Sequence, residues 1–456
     1  MKNTVAIILA AGEGTRFKSA TPKVLHNLLG KTIISRVVDT VEGLSPLFQK
    51  IIVVIGHKAE SIQAELTGRN LILVTQKKQL GSGDAVKKAE TCLRNFTGSI
   101  VILCGDVPLL KKATLQKLLK VHQQNNADCT ILTCKLKQPF GYGRIVRDRN
   151  GNVVSIVEEK DASGGLKKIN EINTGIYVFN TVELFSALKR IKNKNVKGEY
   201  YLTDVISILK QSNKKIIACP VDTGSEIMGI NNRVELANAE QILRKQILDK
   251  LMLSGVTIID PQTTYIDETV SIDKDTTILP STIIKGKTKI KSGCMLGPFS
   301  YIEDCSISKK VEIRASFVYG AEIAEDVKIG PFSHIRRETK ICARSRIGNF
   351  SEIKKSYIGE NTKVSHLSYI GDSHLGRNIN IGAGTITCNY DGKNKHKTEI
   401  GDNTFVGSNT NLIAPIKIGK GVLIAAGSTI TEDVPNNKLA IARERQIIKK
   451  RKFLFR

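Results

Sequence analysis

Apolar residues are distributed in two different ways along this chain of 456 residues. In the first half, short unbroken apolar runs at 5–11, 51–55, 71–74, 100–103 and 130–134 alternate with amphipathic stretches. A run of that length with no polar face predicts a strand buried on both sides, as in a parallel sheet with helical crossovers. The expected fold of this half is therefore α/β, with any site at the carboxyl ends of the strands.

Near residue 232 the pattern changes. Leu236, Ala239, Leu243, Ile247 and Leu251 recur at steps of three and four, and Gly255 follows, which predicts an amphipathic helix. Beyond it the period becomes six. Ile272, Ile278, Ile284, Ile290, Leu296 and Ile302 form one run, residues 323 to 353 a second, and residues 400 to 430 a third. Neither a helix nor a simple strand repeats at six. A parallel β-helix with three short faces per coil does, each face sending one aliphatic side chain inward. The expected division is a first domain at 1–233, a linker helix at 234–255 and an all-β domain at 256–456. The period breaks near 307–320 and 381–399, which predicts two loops leaving the coil.

Composition narrows the setting. The apolar start is short and runs at once into a glycine-rich loop, so a buried strand explains it better than a signal peptide. No stretch is long and apolar enough to span a bilayer. Nine scattered cysteines with no Cys-x-x-Cys pair point to a reducing cytosol, hence a cytoplasmic protein, rather than a disulfide framework. His366, His374, Cys388 and His396 match no zinc spacing. The net charge is +26, but 49 of the 69 basic residues are Lys, aromatics are 5%, and no groove-reading motif occurs. Anionic small substrates, or plain lysine enrichment, explain that charge better than nucleic acid.

The chemistry begins after the first predicted strand. Gly12-Glu13-Gly14-Thr15-Arg16 is a loop that a phosphate can approach, and the start of a following helix would favour an anion. Thr21-Pro22-Lys23 adds a second cation, so Arg16 and Lys23 could neutralise a triphosphate and its leaving pyrophosphate. Asp106, just past the run at 100–103, is a hard carboxylate suited to Mg²⁺. A helix N-cap is the ordinary alternative.

These residues lie in motifs that resemble the sugar-phosphate nucleotidyltransferases: Leu9-Ala10-Ala11-Gly12-x-Gly14-Thr15-Arg16, then Pro22-Lys23. With Gln76, Gln79-Leu80-Gly81-Ser82-Gly83, Cys104-Gly105-Asp106-Val107-Pro108, Gly141-Tyr142-Gly143-Arg144, Glu171-Ile172-Asn173-Thr174-Gly175, Gly198 to Asp204 and Gly229-Ile230-Asn231, the chain resembles one family in particular. That family is the bacterial bifunctional N-acetylglucosamine-1-phosphate uridylyltransferase / glucosamine-1-phosphate acetyltransferase. The resemblance implies a Rossmann-like nucleotidyltransferase domain joined to a left-handed parallel β-helix of hexapeptide repeats. It implies attack by a sugar phosphate on the α-phosphorus of UTP, with Asp106 and Asn231 holding Mg²⁺. Gln76, Gly81 and Ser82 would read uracil, and Gly143, Glu158 and Asn173 would hold the sugar. Leu9, Ala10, Ala11, Gly12, Lys23, Cys104 and Gly105 complete the implied site. Three residues depart from the family pattern: Glu13 is acidic where a basic or neutral residue is usual, and Ser82 and Asp84 stand where Thr and His are frequent.

In the second half, an acyl transfer to an amine needs a base, and His suits that near neutral pH. By resemblance His366 is that base, and Arg336 and Lys354 clamp the sugar phosphate. Tyr369 and Asn380 add sugar contacts. Ala383, Asn389, Tyr390, Ser408, Ala426 and Arg443 meet acetyl-CoA, with Asn389 steadying the oxyanion. Arg337-Glu338 replaces the family's usual Pro-Gly, and Glu444-Arg445 its apolar-Pro pair. A homotrimer built through the β-helix is implied as well. Two other readings share this domain order: a single-function nucleotidylyltransferase with a regulatory β-helix, and a non-catalytic relative of the exchange-factor type. The first would not need His366, Lys354 and Asn389 together, and intact Arg16, Lys23 and Asp106 count against the second.

Overall fold

The computed structural model describes residues 3–450, and the chain divides into two compact units, 1–243 and 244–456. The first is built on one twisted sheet. Its strands are β1 (Thr4–Ala10), β4 (Lys50–Ile55), β5 (Ile72–Thr75), β6 (Ser99–Cys104), β7 (Cys129–Lys135), β8 (Arg144–Arg147), β9 (Val153–Val157), β10 (Glu171–Asn180) and β11 (Ile216–Val221). A small hairpin, β2 (Asn27–Leu28) and β3 (Lys31–Thr32), stands apart. The order is β11-β7-β10-β6-β1-β4-β5, with β8 and β9 attached beside β10.

Alternation along β1 shows why both faces had to be apolar. Ala6 and Ile8 pack with α1 (Ile33–Glu42), α2 (Ala59–Glu65) and α4 (Lys112–Gln124). Val5 and Ile7 pack with α3 (Ser82–Lys88), α5 (Thr181–Leu188) and α6 (Asp204–Gln211) on the other face. The five strands expected from the apolar runs are present. Those five run parallel to one another as expected, but the sheet as a whole is mixed. β10 runs antiparallel to both β6 and β7, and β8 and β9 form an antiparallel hairpin. Burial makes a strand apolar on both faces whichever way it runs, so direction leaves no mark on hydropathy.

The helix α7 (Arg233–Leu253) contains the boundary between the units. Its buried positions are Ala239, Leu243 and Leu248, so the buried stripe passes through Leu248 rather than Ile247. Gly255, at φ +96, follows its end.

The second unit is a parallel β-helix of three sheets with 11, 10 and 9 strands. Each coil stacks Ile, Val or Leu on its predecessor, as in Ile347 on Ile329 and Val364 on Ile347. Two positions earlier, a second inward site is filled by small residues such as Ser333, Ser345, Thr362 and Thr404. Their hydroxyls donate to carbonyls of the next coil, for example Ser345 to Gly359 at 2.8 Å. The corners turn through left-handed residues. One corner is an asparagine ladder, Asn361, Asn378 and Asn403, each near φ +55 and bonded side chain to side chain at 3.2 and 3.0 Å. Asparagine tolerates that backbone better than most residues.

Of the two loops expected, one exists. Around 307–320 no loop leaves the coil. The coils there shorten, so that Glu312 pairs with Lys328 sixteen residues on, where Arg346 pairs with its partner Lys328 at eighteen. A shortened corner shifts the hexad phase just as an insertion does. At the second break Asn380 pairs with Phe405, and the excess forms a hairpin in which Tyr390 bridges Lys395.

Candidate active sites

In the first unit the carboxyl ends of β1 and β6 lie side by side, and their loops form a cleft of about 500 Å³. Leu9, Ala11, Gly12, Arg16, Lys23, Gln76, Gly81, Ser82 and Asn231 line it, all named from the sequence. Gly14, at φ +64, lets the loop pass against Lys23, where a Cβ would meet that side chain at 2.8 Å. The loop enters only a single 3-10 turn, Thr15–Phe17. The expected anion-favouring helix start is thus one turn, and the positive charge comes from Arg16 and Lys23.

Four polar groups converge here. The Lys23 ammonium is in contact with the Asp106 carboxylate and lies 3.4 Å from Asn231 Oδ1. Arg16 donates to the same Oδ1 at 2.8 Å. Glu235, which the sequence reading missed, accepts the main-chain N–H of Asn231 at 2.6 Å. Two hard oxygens faced by two cations form a donor set that fits a divalent ion. Ala10, Cys104 and Gly105 lie behind the cleft: Gly105 N–H donates to Leu9 O at 2.9 Å, and burial pushes the Cys104 thiol up to about 12. Lys197 and Glu199 also line the cleft, contributed by a loop that carries no periodic signal.

Gly143, Glu158 and Asn173 come together at β10. Asn173 N–H donates to Gly143 O at 2.8 Å, and a Cβ on Gly143 would touch Glu158 and Asn173 at 3.5 and 3.6 Å. Burial pushes the Glu158 carboxyl up, partly offset by a hydrogen bond from Thr203 at 3.1 Å.

In the β-helix, His366 and Asn349 are register partners on adjacent coils. His366 Nδ1 lies 2.6 Å from Asn349 Oδ1. An amide oxygen only accepts, so Nδ1 carries a proton, and in the neutral ring Nε2 is then the nitrogen with the lone pair. The column continues. Two residues beyond the pairs Val364/Ile381, Ile381/Val406 and Val406/Ile424 stand His366, Ala383, Ser408 and Ala426, one per coil. Arg443 follows the last coil, beside Gly427. Asn380 lies on the same sheet.

Arg336 and Lys354 line one groove of about 680 Å³. Arg336 is paired with Glu352 at 2.9 Å, and Lys354 lies 3.9 Å from Asp372. Asp372 also accepts from Asn389 Nδ2 at 2.5 Å, and Tyr369 Oη lies 3.4 Å from the same nitrogen. The Asn389 donor is therefore engaged by Asp372, so its expected turn toward an oxyanion would require exchange of that partner. Tyr390 is exposed and donates to Gly392 O. The extruded hairpin carries Lys395, also missed from the sequence, whose pKa is pushed down by its hydrogen bond and charge contact with Lys354. Glu338 takes the left-handed backbone, at φ +61, and pairs with Lys355 at 3.2 Å, so the corner turns without a glycine. The three histidines weighed for zinc have other partners: His366 meets Asn349, His374 stacks on Tyr357 at 4.6 Å and His396 pairs with Asp391 at 2.7 Å.

Comparison with known proteins agrees with both halves. Residues 5–224 match the nucleotidyl transferase model, and residues 320–355 and 397–432 match the bacterial transferase hexapeptide model of six repeats. The bifunctional protein GlmU of Geobacillus is 51% identical over 449 residues, covering 98% of this chain and 97% of that protein. The GlmU of Halalkalibacterium halodurans is 49% identical, with the same coverage, and that of Listeria monocytogenes 45%. The chain belongs to the GlmU family. It is a bifunctional nucleotidyltransferase and acetyltransferase of UDP-N-acetylglucosamine synthesis, and its hexapeptide domain is a left-handed β-helix. UTP and acetyl-CoA are its co-substrates. Among the described residues no helix is long and apolar enough to cross a membrane.

Proposed function

We propose that the β-helix first acetylates glucosamine-1-phosphate, and that the cleft of the first unit then transfers UMP from UTP to the resulting N-acetylglucosamine-1-phosphate. The observation that carries the uridylyl assignment is the convergence of Arg16, Lys23, Asp106 and Asn231 where β1 and β6 end. Arg16 and Lys23 bind the triphosphate and offset charge on the departing pyrophosphate. Asp106 and Asn231 would hold Mg²⁺, which when bound supplies Lewis-acid charge to phosphate oxygens. Gly143, Glu158 and Asn173 orient the sugar, whose phosphate oxygen attacks the α-phosphorus in line. The new P–O bond forms as the bond to pyrophosphate breaks, with no covalent enzyme intermediate.

In the β-helix, Arg336 and Lys354 clamp the dianionic phosphate. The sugar amine attacks the thioester carbonyl, His366 Nε2 takes its proton, and the coenzyme thiolate leaves. Acetyl-CoA runs along the column Ala383, Ser408 and Ala426 toward Arg443, with Asn389 and Tyr390 at its acyl end and Tyr369 and Asn380 on the sugar. The flat faces of the β-helix associate into a cytoplasmic homotrimer. The test supplies glucosamine-1-phosphate, acetyl-CoA, UTP and Mg²⁺ to purified protein and omits each in turn. UDP-N-acetylglucosamine should require all four. Product formed without acetyl-CoA from the unacetylated sugar would sink the order.

A further inference from the structure

One amide in the nucleotide cleft has its orientation dictated by its neighbours. Gln76 is 3% exposed, and Asp84, in the first turn of α3, is 9% exposed. Gln76 Nε2 donates to Asp84 Oδ2 at 2.8 Å and to Gly81 O at 3.1 Å. Both neighbours only accept. A main-chain carbonyl has no proton, and the Asp84 carboxylate is already paired with Lys88 at 3.3 Å. The amide therefore turns its nitrogen toward α3 and uses both hydrogens there. Its Oε1 is what remains for an occupant of the cleft that Gln76 lines.

We infer that Asp84 is a specificity-determining residue: by locking the Gln76 amide it makes the cleft accept a base with a ring N–H at that edge, as uracil has at N3, and disfavour cytosine. The inference rests on the reading that the base of UTP sits against Gln76. Cytosine N3 is an acceptor, so against a locked Oε1 two acceptors face each other with no proton between them. A buried mismatch of that kind discriminates far more strongly than a missing apolar contact. An acidic residue in a first helical turn ordinarily serves the helix dipole. Here one carboxylate oxygen meets Lys88 and the other Gln76, so the two roles separate by substitution.

The experiment measures kcat/KM for UTP and CTP with N-acetylglucosamine-1-phosphate, on full-length protein, for the wild type, Asp84→Asn, Lys88→Ala and Gln76→Ala. Acetyl transfer and thermal melting are followed on the same preparations. In Asp84→Asn the new amide can donate to Gln76 Oε1, which leaves Gly81 O as the remaining acceptor-only neighbour and weakens the lock. The UTP-to-CTP ratio should fall by about ten-fold or more, while Lys88→Ala keeps the wild-type ratio. An unchanged ratio in a normally melting Asp84→Asn overturns the lock. A further measurement needs no variant: UTP methylated at N3 should be a poor substrate for the wild type, and its use at a rate near that of UTP overturns the inference. If Gln76→Ala leaves UTP use untouched, the fault lies in the placement of the base itself, a different failure.

Discussion

His366 and Asn349 show how one residue's chemistry depends on the coil beneath it. The amide oxygen at 2.6 Å assigns the Nδ1 proton and leaves Nε2 to work. His366→Ala should reduce acetyl transfer roughly 10²–10⁴-fold, the range for losing a general base, with the fold and uridylylation retained. Full acetyl activity would return His366 to a structural role. Asn349→Ala should lower kcat by on the order of ten-fold, the scale of one lost hydrogen bond, with little change in KM. Asn349→Asp should move the rising limb of the acetyl-transfer pH profile to higher pH, because a carboxylate there favours the charged ring. A purely structural Asn349 would change the melting temperature and leave that limb in place. In the other unit, Asp106→Ala should abolish uridylyl transfer and spare acetyl transfer. Near-normal uridylylation at saturating Mg²⁺ would remove Asp106 from the metal site.

At the scale of elements, α4 carries a buried titratable group against β7. His122 Nδ1 lies 2.9 Å from Thr130 Oγ1, and burial lowers its pKa to about 4. The unfolded chain binds that proton near pH 6.5 and the folded chain only near pH 4. Folding is therefore favoured above about 6.5, and the contribution is lost progressively as pH falls through that window, on the order of 1–3 kcal/mol. Urea midpoints at pH 7 and pH 5 should show this loss in the wild type and a smaller one in His122→Gln. Equal losses in both would place the acid sensitivity elsewhere. Elements also explain the false loop. The hexads between 307 and 320 lose phase because corners shorten by one residue, so that inward residues come five apart, as from Ile313 to Val318 and on to Ile323, where a loop would have lengthened the step.

For the whole molecule, the division inside α7 makes a testable point about truncation. A fragment of residues 1–243 keeps Glu235, whose carboxylate holds the Asn231 N–H, and the first half of α7. It should fold and transfer uridylyl groups. The shorter fragment 1–233 should melt lower and bind the metal-nucleotide pair less well. Equal melting and activity in the two fragments would show that α7 contributes nothing to the first unit. Sedimentation of both should give monomers, and a trimeric fragment would mean that the β-helix is not the assembling element.

Repetition and short motifs determined much from sequence alone. Inward Ile and Val at six-residue steps leave no other economical packing than a three-faced coil, and Gly12 to Arg16, Lys23 and Asp106 announce phosphate chemistry because each type is chosen for charge or backbone freedom, whereas Asn231 was marked only by the family resemblance. Tertiary structure alone decided what depends on direction and on neighbours distant in sequence. β10 turns antiparallel, which hydropathy cannot record. Asp372, Lys395 and Asn349 act through partners tens of residues away or on the next coil, so no local pattern marks them, and Glu235, only four residues from Asn231, matters because of where the fold puts Asn231. The orientation of Gln76 is of the same kind: its identity was legible in the chain, but which end of its amide faces the cleft is set by the acceptors that folding gathers around it.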